Sequence, residues 1–199
     1  MATKKTAEFT NEMKAEFLNC DTLEKLQIFL NNYDIKSMDR NGNNLLHYYL
    51  NNLQSFKLQW DIIIPEIISK GLEINEKQSR GAFQRSPLHL AVFLKQKEIT
   101  AYLADLGADI NSIDANGNTI ISTAVMWYRE QDGFFIELLI NRGADVYLEN
   151  NHGISAISLA RSVANNDVAK YFKQMETGNI IKKRKWKKSR LKTIHKLIG

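Results

Sequence analysis

The chain has 199 residues, 44% apolar and 25% charged, which is enough apolar mass for a buried core and sets aside wholesale disorder. One cysteine rules out an internal disulfide framework, and no apolar run approaches the roughly 20 residues of a membrane-spanning helix. The net charge of +5 is divided: residues 177–199 carry nine basic side chains and no acidic one, so subtracting nine leaves −4 on residues 1–176.

Met1 to Phe9 is polar and lacks the apolar segment of a secretory leader. With the single thiol of Cys20 suited to a reducing setting, the expected location is the cytoplasm, or the nucleus if the chain acts in a eukaryotic cell. Residues 1–37 read as a divergent capping repeat, a half or whole unit, with the segment from Thr6 to Asn32 as the cap. Asn32 ends an apolar helix and reads as a left-handed C-cap. Ten residues later Asp39-Arg40-Asn41-Gly42 reads as a tight turn whose last residue needs positive φ. A first helix then opens at Asn44-Leu45-Leu46-His47, and a second one carries Ile67 and Ile68 before Gly71.

The same order recurs. Ser86-Pro87-Leu88-His89-Leu90-Ala91 begins a helix with Ser86 as its cap and Pro87 where a missing N–H costs nothing. Its partner helix contains Leu103 and ends at Leu106-Gly107-Ala108-Asp109. Thirty-six residues on, Arg142-Gly143-Ala144-Asp145 repeats that ending after Leu138, Leu139 and Ile140. Gly107 and Gly143 are each followed ten residues later by another glycine, Gly117 and Gly153, the offset that also links Asn32 to Gly42. Ala91, Ala124 and Ala160 share one position of the first helix, where Tyr49 stands in the earliest copy, and Tyr171 with Phe172 closes the apolar stripe of the second helices.

These residues resemble the ankyrin repeat, whose signature runs Asp-x-x-Gly-x-Thr-Pro-Leu-His through two helices to Gly-Ala-Asp-Val-Asn. Residues Ser86 to Asn111 match it best. The resemblance implies an all-α solenoid of four to five repeats, near 38–75, 76–111, 112–147 and 148–176, with caps at 1–37 and around Val168–Phe172 and a basic C-terminal extension at 177–199. Spacing locates the departures. His47 to Gly71 is 24 residues and Ser122 to Gly143 is 21, against 18 from His89 to Gly107. Insertions therefore fall near Gln54–Asp61 and Trp127–Gly133, and three further residues enlarge the turn that carries Arg80 to Arg85.

No phosphate loop, zinc-spaced Cys/His cluster or nucleophile motif occurs, so no enzyme and no cofactor is expected. His47 and His89 occupy the Leu-His position and are expected to tie neighbouring turns together; Cys20 has no assigned base. The candidate binding surface consists of Phe93 and Leu94 in one repeat and Met126, Trp127 and Tyr128 in the next, at positions expected to be exposed. Aromatic and methionine side chains there have the make-up of an interaction hot spot. Polar contacts are expected from the turn tips, at Arg40, Asn41, Phe83, Arg85, Asn116 and His152.

The resemblance implies a monomeric module that binds, sequesters or inhibits a protein partner on its concave face, with no small-molecule substrate. The abundance of Asn, Ile and Lys suits an AT-rich genome, and with it a bacterial immunity protein, a host-directed effector or a viral protein. The alternative rests on the tail. Lys182, Lys183, Arg184, Lys185, Trp186, Lys187, Lys188 and Arg190 have the density of a nuclear-targeting or nucleic-acid patch, or of a basic helix for an anionic membrane.

Overall fold

The computed structural model describes residues 8–129, 132–162 and 166–173; the readings that fall on 177–199 lie outside the described residues. The chain forms a row of helix pairs. α1 (Asn11–Leu18) pairs with α2 (Leu23–Asn32), α3 (Leu45–Asn51) with α4 (Trp60–Ser69), α5 (Pro87–Phe93) with α6 (Lys97–Asp105), and α7 (Ile120–Met126) with α8 (Phe134–Asn141). α9 (Ala156–Ser162) pairs with a 3-10 helix at Asn166–Phe172. Strands are absent among the described residues, and pairing is limited to isolated bridges such as Ile113 with Thr119.

Stacking explains the sequence of each helix. The first helices pack on one another, α3 on α5, α5 on α7 and α7 on α9, while the second helices form another row, α2 on α4 and α6 on α8. A first helix is thus enclosed on several sides, and every residue of Pro87–Val92 and Ile120–Val125 is buried. The small Ala91, Ala124 and Ala160 lie in these contacts. Second helices bury one stripe at helical spacing, Ile63, Ile64 and Ile67 in α4 and Ile99, Thr100 and Leu103 in α6. This is the expected all-α solenoid.

The turns between pairs project as fingers. In three of them the residue at the same position, Asp39, Asp114 or Asn150, uses its Oδ1 to accept the N–H groups two and four residues further on. Gly42, Gly117 and Gly153 adopt the positive φ that the turn reading required. Each finger then bonds to the next. Ser79 donates to the Gly42 carbonyl at 3.0 Å, Ala115 to that of Phe83 at 2.6 Å and Asn151 to that of Asn116 at 3.1 Å. Ser86 caps α5 as expected, accepting the His89 N–H at 3.3 Å, and Asn44 and Thr119 do the same for α3 and α7.

Asn32 departs from the reading. It is the last residue of α2 and has no left-handed backbone; Tyr33 follows at φ −115°, its ring packed 5.0 Å from Phe29. The anchored ring leads the chain out extended, so no left-handed residue is needed to reverse it.

The insertion at Gln54–Asp61 folds inward. After a 3-10 turn at Leu53–Ser55, Phe56 returns to lie 4.7 Å from Phe17 and 4.9 Å from Tyr49. Tyr49, at the position alanine holds elsewhere, is buried among these rings. Phe17 also stacks on Phe29 at 5.2 Å. The amino-terminal end is therefore closed by an aromatic cluster, and Lys14 crosses to Asp39 at 2.7 Å to tie it to the first finger.

Candidate protein-binding surface

The finger of the second repeat is three residues longer than its neighbours: Ser86 follows Gln78 at an offset of eight, whereas Asn44 follows Asp39 at an offset of five. Gln78 closes it, donating from its backbone to the Arg85 carbonyl at 3.0 Å and accepting the Arg85 N–H on its Oε1 at 3.1 Å. The Arg85 carbonyl also faces His47 Nε2 at 2.9 Å. With its backbone held by two repeats, Arg85 extends its side chain between two rings. The guanidinium carbon is 4.2 Å from the centre of the Phe83 ring and 3.9 Å from that of Phe93. Phe93 in turn meets Trp127 edge-to-face, with centres 5.5 Å apart and planes at 81°.

Four side chains from the finger, the end of α5 and the end of α7 thus form one row. Cation–π contacts of this kind contribute about 0.5–2 kcal/mol each and the edge-to-face pair about 0.5–1.5 kcal/mol, enough to hold the row in one arrangement. It stays open to solvent: Phe83 is 43% exposed, Trp127 44% and the neighbouring Met126 40%.

Its charge is one-signed. Residues 78–93 include Arg80 and Arg85 and no acid, and residues 115–129 include Arg129 and no acid. Asp114 is buried, and its carboxylate is occupied by the Asn116 and Asn118 N–H groups and the Asn118 side chain. Burial pulls the Arg85 guanidinium below its ordinary pKa, and the Asp114 carboxylate only partly restores it. Arg85 Nε is buried with no hydrogen-bond partner among the described residues.

The two Leu-His histidines serve the scaffold. His47 faces Asn44 Oδ1 at 2.7 Å with Nδ1 and the Arg85 carbonyl with Nε2; His89 Nε2 lies 2.7 Å from Thr123 Oγ1 in the next repeat. Burial pushes both rings down to about 4, against opposing pulls from the Arg85 carbonyl and Asp39 on His47 and from Asp114 on His89. Both are therefore neutral at pH 7. The buried Cys20 thiol lies 3.4 Å from the Glu16 carbonyl and is pushed up to about 11, by burial first and then by the charge of Glu16. It stays a thiol at neutral pH.

The structure sorts the candidate residues unevenly. Phe83, Arg85, Phe93 and Trp127 come together, with exposed Met126 beside Trp127 in the chain, and Leu94 is half-buried against the core. Arg40, Asn41 and His152 are exposed on other fingers, and Asn116 is half-buried. Tyr128 corrects the expectation of exposure. It is 5% exposed, its hydroxyl donates to Asp167 Oδ2 at 3.1 Å, and its ring lies 5.9 Å from Tyr171. The Tyr128 N–H donates to the Val125 carbonyl at 3.2 Å at the end of α7, and its side chain faces the last helix pair while Trp127 meets Phe93. Arg85, expected to supply a polar contact from a turn tip, is half-buried. What the sequence reading missed was the union of Arg85 with Phe93, which stand at opposite ends of α5, and nothing in the local sequence signalled it.

The family model described as ankyrin repeats (3 copies) matches residues 13–114 and 61–150. Among curated proteins, the chain is 30% identical over 131 residues to the nuclear factor NF-kappa-B p105 subunit of Gallus gallus and 28% identical over 123 residues to rabankyrin-5 of Homo sapiens. These alignments cover 61% and 56% of this chain but only 12% and 10% of the relatives, so the chain spans about a tenth of their length. A putative ankyrin repeat-containing protein of Treponema pallidum (strain Nichols) is 30% identical over 101 residues, covering 51% of this chain and 32% of that protein. The matched segments take in the finger, α5 and α7 from which the aromatic row is built, and the chain belongs to the ankyrin-repeat family, whose repeats are protein–protein interaction modules.

Proposed function

We propose that this chain binds a protein partner on the face formed by its fingers and first helices, and that it sequesters or inhibits what it binds. The observation that carries the reading is the row Phe83, Arg85, Phe93 and Trp127, with Met126 beside it: large side chains already ordered in the free protein, with Arg85 and Phe93 half-buried and Phe83, Met126 and Trp127 still open to solvent. Ordering before contact lowers the entropy lost on association, and exposed aromatic anchors give most desolvation for the area covered. A bacterial immunity protein or a host-directed effector is a working role that such a binder fits.

Affinity purification with mass spectrometry tests it, using wild type and a Phe83→Ala, Met126→Ala, Trp127→Ala variant. Tyr128 is left intact because it belongs to the core. A specific protein recovered by wild type and lost by a variant with unchanged far-UV circular dichroism is the expected result. Equal recovery by the folded variant removes the assigned surface. Deleting 177–199 in the same experiment tests the nucleic-acid reading of the basic tail, whose binding should fall steeply with salt.

A further inference from the structure

We infer that the row centred on Arg85 is a docking site for an acidic peptide segment of the partner: a carboxylate side chain pairs with the Arg85 guanidinium while an adjacent apolar side chain covers Met126 and Trp127. The inference rests on the protein-binding reading above and adds the chemistry of the partner.

The guanidinium is the reason. It is clamped between the Phe83 and Phe93 rings at 4.2 and 3.9 Å, so its fork is oriented before any ligand arrives. Among the described residues its side chain donates no hydrogen bond and joins no ion pair. The carboxylate whose field reaches it, Asp114, is buried and committed to its own turn. A planar cation that is partly desolvated, fixed and uncompensated is matched best by a carboxylate, which it can bind with two parallel N–H donors. The stacked rings restrict the rotamers that a free arginine would lose on binding.

The surroundings select the rest of the ligand. The finger, α5 and α7 supply Arg80, Arg85 and Arg129 and no usable acid, so a basic segment would be repelled. The chain's own 177–199, with nine basic residues and no acidic one, has the wrong sign to occupy this face. Phe83 against the cation, Trp127 on the far side of Phe93 and Met126 next to it in the chain are each at least 40% exposed, which favours an acidic residue near a Leu- or Phe-like one. A nucleic acid would need ring faces for stacked bases. Here Arg85 already covers a face of both phenylalanines, and Phe93 meets Trp127 edge-to-face.

The test is selection of a phage-displayed library of random 12-residue peptides on the full chain. The best peptide is then synthesised with its acidic residue and with the corresponding amide, and fluorescence anisotropy measures binding to wild type, Arg85→Gln and Trp127→Ala. Selected peptides should share an Asp or Glu beside an apolar side chain. The amide exchange and Arg85→Gln should each weaken binding about ten- to a hundredfold, and the two together no more than either alone. Because the amide exchange leaves the protein untouched, its result stands even where a protein variant folds poorly.

Peptides that are basic or uncharged, an amide exchange without effect, or a selection that yields no binder would each overturn the inference. So would Arg85-dependent binding of a 12-nucleotide oligothymidylate in place of any acidic peptide. If partner capture still depends on Phe83, Met126 and Trp127 while no acidic preference exists, only the partner chemistry is wrong. If capture is independent of them too, the surface itself is wrong.

Discussion

The repeats at 38–75 and 76–111 use one plan and stabilise it differently. In the first, Tyr49 stands where the second has Ala91, and the longer connection after α3 supplies Phe56 as its neighbour. In the second, the small alanine lets α5 lie against α3 and α7, and the extra residues go into the finger, where they present Phe83 and Arg85. The repeat beside α1 and α2 fills its contact with them with the rings of Phe17, Tyr49 and Phe56; the repeat packed between α3 and α7 spends its insertion on the exposed face. The position of an insertion, more than its length, decides whether it becomes core or surface.

Exchanging the two residues breaks the comparison most sharply. Tyr49→Ala should cost about 3–5 kcal/mol, since it empties a site packed by Phe17 and Phe56. Ala91→Tyr should also destabilise strongly, because a fully buried alanine between helices has no space for a ring. Urea unfolding followed by circular dichroism measures both. Two near-neutral results would mean that the repeats are interchangeable at this position.

The paired histidines give the next largest effect. Their folded values, near 4, lie below the ordinary 6.5, so between these limits the unfolded chain binds more protons. Stability is complete above about pH 6.5 and is lost as pH falls towards 4, by on the order of 3 kcal/mol for each ring. The two should not share this equally. Both nitrogens of His47 face oxygens, so a proton there finds a partner, whereas His89 Nδ1 is buried with no acceptor among the described residues. Urea midpoints at pH 7 and 4.5 should therefore converge more in His89→Gln than in His47→Gln. A wild-type midpoint that does not fall with acidification contradicts both assignments.

The smallest effect separates backbone strain from finger contact. Gly42 and Gly107 have similar φ, +80° and +87°, so alanine at either costs about 1–2 kcal/mol of left-handed strain. At Gly107 an added Cβ meets nothing within 4 Å, while at Gly42 it would come within 2.3 Å of the Arg80 backbone nitrogen. Thermal unfolding should show Gly42→Ala as the more damaging of the two. Equal losses would show that the fingers give way without cost.

Much of this was legible in advance because ankyrin spacing is local. The Ser86 cap, the Asx turns at Asp39 and Asp114, and the helix-ending Gly107 and Gly143 follow from residues within a few positions of one another. The candidate surface was legible only in part. Trp127 and Tyr128 are neighbours of similar character, yet one faces solvent and the other bonds to Asp167, 39 residues away. Asn32 resembled a cap residue, but Tyr33 and its contact with Phe29 governed the exit from α2.

By itself, then, the amino-acid sequence determined the order of helix, turn and helix within each repeat, the tight turns between pairs and where the spacing departs from the repeat, since each depends on backbone preferences and apolar periodicity over short stretches. Only the tertiary structure decided which way each insertion turned, and that Arg85 of a finger, Phe93 of α5 and Trp127 of α7 meet in one row. Their meeting depends on stacking between repeats, and the distance across a stack is set by packing that no single segment encodes.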